Sequence, residues 1–274
     1  MKKILALLLA LSMALGLAAC SGQDGKESDN SGDSDLAYIQ EKGTLVVGIT
    51  EFEPMDYTDA DGNWIGFDAD MARAFAESLG VEAQFQVIAD WDSKVMELEG
   101  KTVDVVWNGM TLTEDVLTAM ECSNPYFSNG QVVIVPADKA GDYQTEESLA
   151  DLQFAVENGS AGQEELDRLG YSYTPVQDQA TALMEVAAGT SDAAVVDYLM
   201  AAAMTGEGTS YADLAYSLNL NDAQGLESEQ YGVGFRQGSD LVDEFNTFWA
   251  EKVADGTVLE VAATYGLQDA VILD

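Results

Sequence analysis

Carboxylates are the reactive groups this chain holds in abundance. Its 274 residues carry 49 Asp and Glu against 11 Lys and Arg, no histidine, and two cysteines, Cys20 and Cys122, for a formal net charge of −38. Without histidine, Ser-His-Asp and Cys-His catalysis and His-ligated zinc are excluded. General acid–base chemistry would fall to carboxylates such as Glu157 or Asp197. Asp56, Asp59 and Asp61 gather near Gly62, but the spacing is not that of an EF-hand loop, and they read as a turn rather than a metal site. Two cysteines cannot form a disulfide framework. Cys122 reads as a buried or half-buried thiol with nothing to mark it as reactive. A surface this acidic repels phosphate backbones, so nucleic acid is not an expected partner.

The elements that must position these groups alternate between strand and helix. Thr44–Ile49 is a short apolar run, as in a buried strand. Gly66-Phe67-Asp68 leads into a helix with Asp68 as the expected N-cap, apolar repeats at Met71, Ala74, Phe75 and Leu79, and a stop at Gly80. Val81–Val87 alternates as a strand, Trp91–Leu98 reads as helix, and Val103–Trp107 and Val132–Val135 read as strands. Phe154–Val156 begins a second series: a Gly159-Ser160-Ala161-Gly162 turn, a helix to Leu169, a helix over Ala180–Ala188, then strand Ala193–Val196 with Asp197 opening another helix. Tyr231–Phe235 is a late strand, followed by helices over Leu241–Val253 and Val258–Tyr265. Such alternation implies an α/β fold with largely parallel sheets. Ligands of these sheets bind beyond the carboxyl ends of strands, which selects the loops after Ile49, Trp107 and Val156, and the helix start at Asp197.

The N-terminus reads as a targeting segment. Lys2 and Lys3 precede an apolar run, Ile4–Leu17, too short for a comfortable membrane span and ending in small residues. Leu17-Ala18-Ala19-Cys20 resembles the bacterial lipobox, which implies cleavage after residue 19 and lipid attachment at Cys20, with an ordinary secretory signal as the alternative. Residues 20–35 contain almost no large apolar side chain and are expected to be a disordered tether, the domain starting near Leu36. These features place the protein at the cell membrane, lipid-anchored and facing the extracellular or periplasmic side.

The ordered set of Leu45-Val46-Val47-Gly48, Pro54, Gly66-Phe67-Asp68-Ala69-Asp70, Asp104–Glu114, Asn124-Pro125-Tyr126, Asn158–Gly162, Asp192–Asp197 and Tyr231–Arg236 resembles the polar amino-acid-binding proteins of ABC importers, solute-binding protein family 3. The resemblance runs from about residue 38 to 268. It implies a two-lobed, periplasmic-binding-protein-like (type II) Venus flytrap. Lobe 1 is expected over 36–135 plus 233–274 and lobe 2 over 136–232, joined by hinge strands near Ile134-Val135-Pro136 and Val233-Gly234-Phe235. It also implies ligand contacts from Phe52 and Trp91 as aromatic walls, from Asn108, Gly109 and Thr111, from Ser160 and Ala161 at a helix N-terminus, and from Asp197 to the ligand's α-ammonium. Glu157 stands where it can face the pocket. Phe52 as a core aromatic and Asp197 as a simple N-cap remain the plainer alternatives.

One position departs from the family's pattern. An arginine usually follows the Thr-x-Thr motif and forks onto the ligand carboxylate; here Thr111-Leu112-Thr113 leads to Val116 at that place, and none of Arg73, Arg168 and Arg236 falls in a pocket loop. The pocket is therefore expected to lack a cation and to favour a positively charged ligand with a weak or absent carboxylate. The function implied is capture of a polar amino acid or small amine by a monomer that delivers it to an ABC permease, without turnover and without a cofactor. A carboxylate-based lyase or hydrolase on the same fold, or a ligand-sensing domain, are the alternatives; for the latter, no transmembrane or signalling segment is expected after Asp274.

Overall fold

The computed structural model describes residues 34–273. The expected leader, the Cys20 lipid site and most of the expected tether lie outside the described residues. The tether ends earlier than its composition implied. Ser34 caps a helix over Asp35–Lys42 by accepting from the Ala37 amide. That helix is tied down by Asp35, whose carboxylate lies 2.8 Å from the Arg236 guanidinium.

In chain order the strands are β1 (Thr44–Ile49), β2 (Tyr57–Thr58), β3 (Trp64–Ile65), β4 (Glu82–Val87), β5 (Val105–Thr111), β6 (Glu121–Cys122) and β7 (Phe127–Asn129). They continue with β8 (Gln131–Pro136), β9 (Phe154–Glu157), β10 (Tyr173–Val176), β11 (Ala193–Asp197), β12 (Leu214–Asn219) and β13 (Glu229–Phe235). Two larger sheets result. One runs β4-β1-β5-β13-β6, with β7 also on β13; the other runs β10-β9-β11-β8-β12. β1 is parallel to β4 and β5, and β9 to β10 and β11, as strand–helix alternation requires. β8, β12 and β13 join antiparallel, so the sheets are mixed. β10 went unread in the sequence because it holds Pro175; it is an edge strand, where a missing N–H costs no ladder bond.

The chain passes between sheets at Gly130, directly after β7 and before β8. This is a few residues before the hinge strand expected near Ile134-Val135-Pro136. It returns between β12 and β13 through a short helix, Leu220–Gln224. The first sheet rests on an aromatic core of Phe67, Phe75, Trp107, Tyr126, Phe245 and Trp249. The second packs Val133, Val135, Phe154, Leu166 and Leu220. Among the described residues no helix is long and apolar enough to cross a membrane.

Two local expectations need correction. The helix over Phe67–Ser78 is preceded by Gly66 at the cap position, so Asp68 is already helical and does not cap. Its carboxylate turns inward, is fully buried, and accepts from the Gly109 amide at 2.6 Å and the Tyr126 hydroxyl at 2.8 Å. Asp59 and Asp61 do form a turn closed by Asn63, but Asp56 is fully buried beside Asp68, which pushes its carboxyl well above the usual range.

Candidate functional site

The carboxyl ends of β5, β9 and β11 converge with the start of β13, and the residues that meet there are mostly polar and buried. Asp197 ends β11 and is 4% exposed. It does not cap the helix that follows. Instead its carboxylate accepts from the side-chain amides of Asn129, Gln131 and Gln179, the Gln131 bond being 2.8 Å, while its own N–H donates to Gln179 Oε1 at 2.8 Å. The three amides solvate a charge that burial disfavours, and burial still raises the Asp197 carboxyl above its ordinary value.

Glu229, at the start of β13, is the second acid of the cluster. Gln131 Nε2 donates to it at 2.8 Å as well as to Asp197, and Asn221 donates at 3.2 Å. Thr111 Oγ1 reaches the same carboxylate at 3.5 Å. Burial and the nearby Asp197 push Glu229 up to about 7. Glu157, at the end of β9, is 3% exposed, and its Oε1 has no hydrogen-bond partner among the described residues. Burial, then Asp197 and Asp178, push it well above the carboxylate range, while Lys94 opposes the shift. A buried carboxylate oxygen without a donor is costly, and a ligand cation would satisfy it.

Phe52 is 2% exposed, edge-on to Tyr231 at 6.2 Å between centroids. Gly109 sits directly against it. A Cβ there would meet Phe52 Cε1 at 2.5 Å, and its φ of +56° also favours glycine. Asn108 faces inward as a brace: Thr50 N–H donates to its Oδ1 and its Nδ2 donates to Thr50 Oγ1, both at 2.8 Å. Trp91 is buried in a separate apolar cluster with Ile88, Met110 and Val116. Ser160 caps the helix over Ala161–Leu169, its Oγ accepting from Gln163 N–H at 3.2 Å.

The two sheet-bearing halves touch along one rim of this site. Asn158 Nδ2 donates to Asp90 Oδ1 at 2.9 Å, and Thr113 Oγ1 to Glu164 Oε1 at 3.2 Å. Gly159, at φ +72°, lies so close to Asp92 that a Cβ would meet the Asp92 Cα at 2.5 Å. Lys94, 7% exposed, donates to the Gly159 carbonyl at 2.9 Å. A buried cation therefore stands at this rim, where none was expected: weighing only the arginines missed a lysine one helical turn past Trp91, a spacing visible in the sequence. Glu229, Gln131, Gln179 and Asn129 were also missed. Nothing local marks them: Asn129, Gln131 and Glu229 reach the site through strand pairing, and Gln179 from the first residue of the helix over Gln179–Ala188. Cys122 is half-buried, and burial beside Glu121 pushes its thiol up to about 11, leaving it unreactive.

The bacterial extracellular solute-binding proteins, family 3, match residues 45–268. The L-cystine-binding protein TcyJ of Escherichia coli (strain K12) is 28% identical over 256 residues, 91% of each chain. The arginine-binding extracellular protein ArtP of Bacillus subtilis (strain 168) is 28% identical over 269 residues, 93% of this chain and 94% of its own. Among solved structures, the P235GK mutant of ArgBP from T. maritima superposes with a TM-score of 0.77 at 31% identity, over 84% of this chain and 98% of that one. The fold is the two-domain, type II periplasmic-binding architecture. With the match spanning most of its length, the chain belongs to the bacterial extracellular solute-binding proteins of family 3.

Proposed function

We propose that this protein captures a cationic amino acid between its two halves and presents it to a membrane ABC permease. The observation that carries this reading is the buried cluster Asp197, Glu157 and Glu229, with Lys94 the one buried cation among the described residues and acting on Glu157. With Glu229 pushed up to about 7 and counted as protonated, Asp197 and Glu157 against Lys94 leave one uncompensated negative charge, and a ligand with two cationic groups and one carboxylate balances it. Asp197 takes the α-ammonium and Glu157 the side-chain cation, with Phe52 and Trp91 as walls and Gly109, Thr111, Ser160 and Ala161 supplying polar contacts. The lobes divide as the sheets do, near Gly130 and ahead of Glu229. The named relatives are binding proteins, which supports capture without turnover. Residues 1–19 act as a lipoprotein signal and Cys20 carries the lipid, holding a monomeric receptor to the outer face of the membrane.

The test is isothermal titration of the protein, refolded from urea to strip carried-over ligand, with the common L-amino acids. Arginine, lysine or ornithine should bind more tightly than glutamine or glutamate. Tightest binding of an acidic or neutral amino acid would overturn the cationic assignment, and consumption of the ligand would overturn the receptor reading.

A further inference from the structure

We infer that Lys94 holds the ligand's carboxylate, in place of the arginine that Val116 displaces; the inference rests on the amino-acid-binding reading above. Lys94 and Val116 line one cavity of about 340 Å³, and Ser160 borders it too. All three side chains are buried. An arginine at 116 would enter this cavity from the helix over Glu114–Ala119; the valine contributes only a hydrocarbon wall to it.

The Lys94 ammonium stands over the Trp91 ring at 5.2 Å from the centroid. It donates to the Gly159 carbonyl at 2.9 Å, with the Trp91 carbonyl more distant at 3.4 Å. An ammonium has three donors, so these carbonyls leave it capacity to spare. None of the ion pairs among the described residues includes Lys94. It is thus a buried cation in want of an anion, and burial lowers its pKa while Glu157, Asp92, Glu164 and Asp90 act to keep it charged. Asp92, Asp115, Glu164 and Asp167 also border the cavity, and all four are exposed at its rim. Water screens the rim acids far more than the floor. Glu157, the buried acid that acts most on Lys94, is pushed well above the carboxylate range by burial, so an anion is attracted at the floor, beside Lys94, while the rim accommodates a ligand whose remaining charge is positive. A lysine grips a carboxylate as a point charge, without the bidentate fork of an arginine.

The test separates recognition of the carboxylate from simple bridging of the two halves. The full protein, as wild type, Lys94→Met, Lys94→Gln, Lys94→Arg and the double variant Lys94→Met/Val116→Arg, is titrated with each common L-amino acid and with the amine left by its decarboxylation, such as arginine against agmatine. Folding of each variant is checked by its melting transition, and Lys94→Gln serves if Lys94→Met does not fold. Removing the ammonium is expected to weaken the amino acid roughly ten- to hundredfold, as for loss of a charge-assisted hydrogen bond, and to leave the amine nearly unchanged. Lys94→Arg should keep the preference for the amino acid, and Val116→Arg should restore it in the Lys94→Met background. Equal weakening of acid and amine, or no weakening of either, overturns the inference while leaving the receptor reading intact. Failure of the wild type to bind any amino acid overturns both.

Discussion

Replacing Glu229 by glutamine should remove a pH dependence of stability whose size follows from the site. Glu229 is held in the folded state at about 7 against an ordinary value of 4.5, by burial and by Asp197. A carboxyl raised on folding has a definite sign. Below the unfolded value both states are protonated and the group costs nothing. Between 4.5 and about 7 the unfolded chain ionises while the folded one does not, and stability falls as pH rises. Above that window the cost is constant. A shift of this size corresponds to about 3 kcal/mol, each pKa unit being ~1.4 kcal/mol. The Gln131 amide that bridges Glu229 and Asp197 can donate equally to a glutamine carbonyl, so any packing cost of the substitution is independent of pH. Asp68, also held at about 7, is present in both proteins and cancels from their difference. Urea unfolding of both at pH 5 and pH 8 gives the quantity required. Because the unfolded group is already partly ionised at pH 5, the stability of Glu229→Gln relative to wild type should improve by about 2.5 kcal/mol between the two pH values. The same relative stability at both would show that Glu229 is ionised throughout, and the charge count of the site would then be wrong.

Asp197→Asn should lose roughly 2–5 kcal/mol of amino-acid affinity, the usual consequence of leaving a buried ligand cation unpaired; calorimetry showing unchanged binding would assign the ammonium to another acid. Gly159→Ala should force the rim apart, since its Cβ would meet the Asp92 Cα at 2.5 Å and its φ of +72° disfavours alanine. Weaker ligand binding and a larger radius of gyration by small-angle scattering are expected, and an unchanged protein would show that this contact is not made in solution. Cys20→Ser should move the protein from the membrane fraction to the soluble fraction without altering its melting temperature; a variant that stays on the membrane would exclude the lipid anchor.

Much of the architecture is legible in local pattern. The apolar runs at Thr44–Ile49, Ala193–Val196 and Tyr231–Phe235 became β1, β11 and β13, and glycine stops at Gly80, Gly170 and Gly189 ended or followed helices as left-handed residues. These features are settled by neighbours a few residues apart, through periodicity and the φ that only glycine adopts easily. Acidic composition and the absence of histidine likewise excluded whole classes of chemistry without any fold.

Tertiary structure decided what the carboxylates face. Asp68 looked like a helix cap and became a buried acceptor because Gly109 and Tyr126, brought in by β5 and the segment before β7, offered donors that the helix start did not need. Asp197 and Glu229 lie 66 and 98 residues beyond Gln131 along the chain, yet its one amide joins both acids. Lys94 was readable as one turn past Trp91, but only the meeting of the two halves put its ammonium against the Gly159 carbonyl, 65 residues away. A side chain's periodicity says which face of its element it occupies, whereas its charge partner, its burial and hence its proton affinity depend on which distant strand the sheet order places opposite.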